Sequence, residues 1–292
     1  RRAVTRTSGV VIVDKESGVT SHQVVGRLRR LLGTRKIGHA GTLDPMATGV
    51  LILGVNRATR LLGHLALHDK RYLATVRLGE SSATDDAEGE VVFVADASAV
   101  TEWELEGALI PLRGDILQVP SSYSAIKVDG KRSYALARAG EAVELKARPV
   151  TVARLDVLAV RVDGARLDVD LDIECSSGTY IRAIARDLGA SLGVGGHLTA
   201  LRRTRIGHYA LENAVVLSDE PPELMSMADA ARLSFPVVDL TDDEARDVGY
   251  GRPLARPVPG SPTGMLSPSG ELLALYEPAD GGARPLAVLV GA

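Results

Sequence analysis

The sequence predicts an α+β fold with a mixed, mostly antiparallel central sheet and a small β-rich C-terminal domain. Strand-sized apolar runs and amphipathic helical segments occur together, but they do not alternate strictly as they do in a doubly wound fold. The composition changes near Pro221, and a Pro/Gly-rich stretch at 252–264 precedes short apolar strands. The 292 residues, 45% of them hydrophobic, suffice for one large domain and one small one. We place the two domains at 1–232 and 233–292.

The first 80 residues predict strands and helices around one glycine-rich loop. Ser21 is a candidate N-cap, and Gly33 ends an apolar stripe of helical spacing. The expected elements, in order, are a strand at Val10–Val13, a helix from Ser21 to Gly33, a loop at 34–49, a strand at Val50–Leu53, a helix at about 58–67 and a strand at Tyr72–Leu78.

The remaining elements follow from caps, turns and alternation. Thr101 and Glu104 have the spacing of a capping box, and Asp129-Gly130 is typical of a hairpin turn. The further expected elements are a helix from Thr101 to near Gly114, a strand at Leu167–Ile173, a helix at Thr179–Leu192, a short helix at Thr241–Val248 and strands at 271–276 and 285–290.

The charge is distributed unevenly along the chain although the formal net charge is only −3. Residues 1–80 contain 14 basic and 5 acidic side chains, whereas residues 211–292 contain 5 basic and 13 acidic ones. Residues 121–150 and 181–210 are also basic, so these blocks could form one face for a polyanion. Ordinary solvated charge is the simpler interpretation.

Two exclusions limit the function classes. The longest apolar run, Val50–Val55, is far shorter than the roughly 20 residues of a membrane span, so we expect no membrane association. The one cysteine, Cys175, permits neither an internal disulfide nor a cysteine zinc site. We therefore expect a cytoplasmic protein.

Residues 38–50 are the segment most indicative of chemistry; they read GHAGTLDPMATGV. Small residues surround one carboxylate, Asp44, directly before a buried strand, and Pro45 favours an extended conformation at Asp44. Gly41 and Gly49 allow a ligand to approach closely. A tight turn is the structural alternative, but His39 and the neighbouring small residues favour a functional aspartate.

Competing motifs are incomplete. The segment lacks the Gly-Lys-Ser/Thr ending of a phosphate-binding loop, and no glutamate follows His64 to form a zinc-protease motif with His68. No other cluster offers enough hard ligands for a metal site. We therefore expect neither a metal nor a cofactor.

Residues 38–49 resemble the signature of the bacterial tRNA pseudouridine synthases of the TruB family. The resemblance extends in register from about residue 9 to 210, and residues 233–292 more weakly resemble the family's PUA-type RNA-binding domain. Other similar segments lie at 14–21, 70–79, 84–89, 120–138, 175–182 and 197–203. The resemblance implies a pseudouridine-synthase fold with a thumb-like RNA-binding insertion around 120–150.

The resemblance also implies a reaction and a site. The family isomerises uridine to pseudouridine at position 55 of the tRNA T-loop, so the expected partner is the T-arm stem-loop, bound by a monomer without a cofactor. Asp44 takes the catalytic, nucleophilic role, and the substrate-binding residues are His39, Tyr72, Tyr180, Arg182 and Leu201.

Each of these binding residues has an expected task. Tyr72 stacks on the flipped base from the wet edge of a cleft, where Lys70-Arg71 precede it, and His39 fills the space that the base leaves. Arg182 pairs with Asp44 and keeps it ionised, Tyr180 lies at the same helix start, and Leu201 lines the uracil pocket. Arg202, Arg203 and Arg205 are expected to contact RNA phosphates.

Three alternatives remain open. The chain could be a tRNA-folding chaperone whose catalysis is incidental, or a related synthase that acts on another RNA. A phosphate-ester hydrolase that uses Asp44 is the third.

Overall fold

A computed structural model describes residues 7–122 and 145–290, together with the backbone of residues 127–128 and 131–132. Within it, two compact units are distinguished by their internal contacts. Unit 1 comprises the described residues up to Pro45, Gly49–His68 and those from Ile206 onward; unit 2 comprises Met46–Thr48 and Asp69–Arg205. The predicted hairpin turn at residues 129–130 lies outside the described residues.

Unit 1 begins with a strand, a helix and two further strands. Its elements are β1 Gly9–Lys15, α1 Ser21–Leu32, β2 Ile37–Ala40, β3 Thr48–Val55, a 3₁₀ turn Asn56–Arg60, α2 Leu62–Leu65, β13 Tyr209–Ala210, a 3₁₀ turn Leu211–Asn213, β14 Met225–Ser226, α5 Met227–Ser234, β15 Val237–Asp239, α6 Asp242–Gly249, β16 Thr263–Leu266, β17 Leu272–Ala279 and β18 Gly282–Val288. Strand β1 lies between β14 and β3 in antiparallel pairing, and β2 also pairs antiparallel with β3.

Helix α1 forms where apolar residues have helical spacing and ends at a glycine. Its residues Val24, Val25, Leu28, Leu31 and Leu32 form the predicted apolar stripe and are all buried. Gly33 adopts φ 65°, a left-handed conformation that ends the helix.

Residues 237–288 of unit 1 contain a separate four-stranded sheet in the order β15-β16-β17-β18. Strands β15 and β16 are parallel, and the other two pairs are antiparallel. A small core of Val248, Met265, Ala274 and Tyr276 supports it. This confirms the predicted β-rich C-terminal region; the boundary at residue 233 stays a prediction.

Unit 2 is built around an antiparallel arrangement of long strands. Its elements are β4 Lys70–Leu78, β5 Glu80–Ser82, β6 Val91–Phe93, α3 Glu102–Leu109, a 3₁₀ turn Ile110–Leu112, β7 Gly114–Gln118, β8 Lys127–Val128, β9 Lys131–Arg132, β10 Arg148–Asp163, β11 Arg166–Cys175, α4 Ile181–Ser191 and β12 Gly196–Ile206. The order across the sheet is β12-β4-β11-β10-β7. The predicted mostly antiparallel α+β fold is therefore confirmed.

One face of this sheet carries an ionic ladder along β11. The alternate residues Asp168, Asp170 and Asp172 lie between basic side chains of β4 and β10, while the residues between them are apolar and buried. The ladder contacts are Arg77 with both Asp168 oxygens at 2.8 Å, Thr75 Oγ1 with Asp170 at 2.7 Å, Arg161 with Asp170, and Arg71 with the two Asp172 oxygens at 2.8 and 2.6 Å. Hydrogen bonds from Arg71 lower the pKa of Asp172.

Three expectations for local structure were wrong. Thr20, not Ser21, caps α1 and forms a capping box with Gln23. Residues 37–40, expected in a loop, form β2 because their backbone pairs with β3. The helix expected at 58–67 is a 3₁₀ turn followed by the four-residue α2.

Candidate active site

The predicted site residues lie in both units. His39 and Asp44 belong to unit 1, whereas Tyr72, Tyr180, Arg182 and Leu201 belong to unit 2.

In unit 1, Asp44 lies on the loop that joins β2 to β3, and the start of α1 fixes this loop. The buried Ser21 hydroxyl accepts a hydrogen bond from Leu43 N at 2.9 Å and donates one to Leu43 O at 3.0 Å. Both backbone polar groups of the residue before Asp44 are thus bound by one side chain. This use explains why Ser21 is not the cap of α1.

The residue after Asp44 is fixed by a second set of contacts. Lys15 is 1% exposed, and its ammonium donates to the carbonyls of Glu16, Val19 and Pro45 at 2.8, 2.7 and 3.1 Å. Gly18 N donates to the same Pro45 carbonyl at 2.8 Å. Asp44 itself is half-buried. Side chains and backbone groups outside the loop thus fix both residues that flank it.

His39 is on β2, opposite Leu53 of β3, and is half-buried. Gly41, two residues later, has φ 72°, a left-handed conformation that lets the chain leave the strand and enter the Asp44 loop. The strand and the turn thus place His39 at the entry to the loop.

In unit 2, Tyr72 lies on β4 and is only 6% exposed. Its side chain shares the buried face of β4 with Lys70, Ala74 and Val76, and Ile173 of β11 is opposite it. The expected position at a wet edge is wrong, because Lys70 is itself buried and does not mark a solvated surface.

Lys70 has an unusual environment for a lysine. Burial and the charge of the fully buried Arg203 lower its pKa to about 8. Cys175 is opposite it on β11, and burial raises the pKa of this thiol to about 11. Two titratable groups with strongly shifted pKa values thus lie close to Tyr72 on neighbouring strands.

Tyr180 and Arg182 lie at the predicted helix start. Tyr180 is the N-cap residue of α4, and the buried Gln118 of β7 holds its backbone: Tyr180 N donates to Oε1 at 2.8 Å, and Nε2 donates to Tyr180 O at 3.1 Å. Arg182 is 6% exposed, and its Nη1 donates to Thr84 O at 3.0 Å.

Arg182 has an acidic neighbour in its own unit. Its Nη1 is 3.6 Å from Asp86 Oδ2, and Asp86 Oδ1 accepts hydrogen bonds from Thr84 Oγ1 at 2.5 Å and Glu88 N at 3.0 Å. Burial raises the pKa of the adjacent Asp85, whose Oδ2 is 3.5 Å from Arg186. The pairing of Arg182 with Asp44 stays a prediction.

These contacts identify positioning roles that motif reasoning does not assign. Asp86 and Gln118 position Arg182 and Tyr180, and Lys15 and Ser21 position the Asp44 loop. The acidic residues at 84–89 were a signal in the sequence. Gln118, by contrast, lies 62 positions from Tyr180, and no local pattern connects the two.

On β12, Leu201 is buried, as an apolar pocket wall requires. The arginines after it differ in access. Arg203 is 1% exposed, so the expected phosphate contact by this side chain is wrong. Arg205 pairs with Asp69 and Glu174 at 2.7 and 3.0 Å, while Arg202 donates to Thr48 Oγ1 at 3.2 Å.

The described residues contain neither a metal-binding cluster nor a membrane-spanning helix. Within 7–122 and 145–290, no group of three His, Cys, Asp or Glu side chains is arranged to hold a metal ion. No helix in the same part of the chain is long and apolar enough to cross a membrane.

Three family models match the chain in succession. Residues 29–181 match the TruB family pseudouridylate synthase N-terminal domain, residues 182–223 the tRNA pseudouridylate synthase B C-terminal domain, and residues 235–290 the tRNA pseudouridine synthase II C-terminal domain. Together they cover most of both units.

Solved structures share the fold. A Cbf5–Nop10–Gar1 complex contains a chain with a TM-score of 0.71 and 24% identity, and an H/ACA ribonucleoprotein bound to a substrate RNA contains one with 0.70 and 23%. In both cases the alignment covers 97% of this chain and 85% of the other.

Curated relatives are much more similar in sequence. Proteins named tRNA pseudouridine synthase B from Cutibacterium acnes and an Arthrobacter species are 58% and 56% identical to this chain. The alignments cover 98% and 96% of this chain, and 99% and 96% of the relatives. The chain therefore belongs to the TruB family of pseudouridine synthases.

Proposed function

We propose that this protein isomerises uridine to pseudouridine in the T-loop of tRNA, at position 55, with Asp44 as the nucleophile. The observation that carries the proposal is the Asp44 loop. Its flanking residues Leu43 and Pro45 are held by the buried Ser21 and Lys15, which supports a carboxylate with a fixed position. The family membership and the names of the relatives support the reaction and its tRNA substrate.

The proposed reaction is an isomerisation that needs no second substrate. The C1′–N1 bond of the uridine breaks, the freed uracil turns, and a C1′–C5 bond forms, after which C5 gives up its proton and N1 gains one. Nothing is oxidised or reduced, so no cofactor is consumed. Catalysis by Asp44 would divide this exchange into easier steps, by attack on C1′, by attack on C6 or by assistance of a glycal route.

The other residues have proposed roles toward the flipped base. Tyr72 stacks on the uracil and its hydroxyl relays a proton. Leu201 packs against the base, and His39 occupies the space that the base leaves in the RNA. Arg182, with Tyr180 beside it, keeps the Asp44 carboxylate ionised. The same proposal includes a monomer in the cytoplasm that binds the T-arm stem-loop and uses residues 233–292 as a PUA-like RNA-binding domain.

The test is to map pseudouridine in a T-arm hairpin after incubation with the protein. We expect modification at one uridine by the wild type and none by Asp44→Asn, which keeps size and hydrogen bonding but loses the nucleophile. Asp219→Asn, at an exposed bend outside residues 233–292, is the matched control and should retain full activity. Product formation by Asp44→Asn would refute the nucleophile, and absence of product with the wild type would favour a folding chaperone.

A further inference from the structure

A cluster of cations at the end of α1 is not used by the proposed reaction. Arg29, Arg30, Arg35 and Lys36 surround the turn at 33–34, where α1 ends and β2 begins. Arg30, Arg35 and Lys36 are exposed. An open cavity of about 540 Å³ lies among the three arginines. We call these four residues the basic corner.

The basic corner has no acidic partners, unlike most of the arginines that the structure describes. Among the residues that the structure describes, no carboxylate oxygen lies within 4.0 Å of any of its four cations. Most other arginines in the described ranges pair with an Asp or Glu, as Arg161 does with Asp170 and Arg232 with Asp229. Three uncompensated arginines around one cavity, with Lys36 next to them in the chain, repel each other, and an anionic ligand would relieve this repulsion.

The corner is also held in shape. Arg29 Nη2 donates to Ile37 O at 3.1 Å, and its Nε is buried without a hydrogen-bond partner among the described residues. Gly33 takes φ 65° at the turn, and Thr34 Oγ1 donates to Asn56 Oδ1 at 2.9 Å. The cations thus project from a fixed turn rather than from a free tail, and a backbone that is already ordered loses less entropy on binding.

We propose that the basic corner binds backbone phosphates of the RNA substrate, at a distance from the nucleotide that reacts. Ser21, at the start of α1, contacts the Asp44 loop, and Arg30 is nine residues further along the helix. At 1.5 Å per residue this separation is about 14 Å, so the corner contacts flanking nucleotides and not the target base. The proposal rests on the proposed function, because it assumes that the substrate is RNA.

The test compares Arg30→Ala/Arg35→Ala with a control, Arg161→Ala/Arg232→Ala. The control removes two arginines that are also exposed but are paired with carboxylates, and both lie outside the proposed RNA-binding domain at 233–292. Binding of an unmodified tRNA transcript is measured for both variants and the wild type between 0.1 and 1 M salt. Thermal melting verifies that each variant is folded. We expect both variants to fold because the substituted side chains are exposed.

Each lost phosphate contact reduces the slope of log affinity against log salt by about 0.7 to 0.9. We therefore expect the slope of the corner variant to fall by about 1.4 to 1.8. The affinities of the corner variant and the wild type should converge near 1 M salt. At 0.1 M salt the corner variant should therefore bind roughly 25- to 60-fold more weakly. The control should bind as the wild type does.

The outcomes separate the two proposals. Equal slopes for the corner variant and the wild type would overturn the basic corner as a phosphate site, while pseudouridine formation by the wild type would leave the proposed function intact. A control variant as weak as the corner variant would equally overturn it, because binding would then follow overall charge. A wild type that binds tRNA and forms no product would contradict the proposed function alone.

Discussion

Ser21→Ala tests whether one buried hydroxyl positions the Asp44 loop. The substitution removes both hydrogen bonds to Leu43, which is itself buried. An unsatisfied buried N–H costs about 1–3 kcal/mol, so we expect the free energy of unfolding to fall by that amount. The loop also gains freedom at the residue next to Asp44. Since a displacement of about 1 Å can cost up to 10²-fold in rate, we expect the single-turnover rate to fall about 10- to 100-fold.

Thr20→Ala is the matched control for stability. It removes the hydrogen bond that caps the same helix end, from Gln23 N to Thr20 Oγ1 at 3.1 Å, and a lost cap costs about 0.5–2 kcal/mol. It touches neither Leu43 nor Asp44. We therefore expect a comparable loss of stability with a rate within about twofold of the wild type.

The assays are urea denaturation and pseudouridine formation with enzyme in excess, both at a temperature where all variants are folded. Tritium release from C5-labelled T-arm RNA gives the rate at saturation, and RNA affinity should be unchanged in both variants. Equal saturating rates for Ser21→Ala and Thr20→Ala would refute the positioning role. An unchanged free energy of unfolding for Ser21→Ala would refute the hydrogen-bond argument itself.

Three further changes test other parts of the structure. Tyr72→Phe keeps the ring and should bind RNA normally but react about 10²- to 10⁴-fold more slowly in single-turnover kinetics, and a wild-type rate would limit Tyr72 to stacking. As pH rises from 9 to 11, the free energy of unfolding of Cys175→Ala should increase relative to that of the wild type by up to about 3 kcal/mol. The reason is that the folded wild type retains a thiol proton that its unfolded chain loses. Urea titrations across this pH range measure the difference. Asp172→Asn should cost about 1–2 kcal/mol at pH 7 in the same urea titrations; the cost should shrink as pH falls below the usual aspartate pKa of about 3.9 and vanish only below the lowered pKa of folded Asp172, where the wild type is protonated too.

Much of the fold could be predicted because its strands and its main helix have a clear apolar spacing. The stripe of α1 and the alternation of β11 are local patterns, and both elements form where expected. Strand β2 has no such pattern, since Gly38 and His39 interrupt it, and only pairing with β3 makes it a strand. The hydroxyl of Ser21 suits a helix cap, but Leu43, 22 positions away, uses that hydroxyl, and no local pattern predicts this.

Of the candidate site, too, only the parts that are local in the sequence could be predicted. The segment around Asp44 is local and could be recognised from its residues alone. The groups that hold it could not, because Lys15 reaches Pro45 across 30 positions and Arg182 reaches Thr84 across 98. The burial of Tyr72 was also missed, because lysine and arginine before an aromatic residue normally indicate solvent, and here the lysine is buried.

The aspartates of the ionic ladder also determine which alignments of β11 the folding chain can tolerate. A slip of one position against β4 would move Asp168, Asp170 and Asp172 to the apolar side and expose the residues between them. Each carboxylate buried without its arginine costs several kcal/mol, so the misaligned pairing is rejected by a penalty that three residues share. Uncharged replacements at these positions would remove this discrimination, and mispaired, aggregation-prone hairpins would then compete with correct folding.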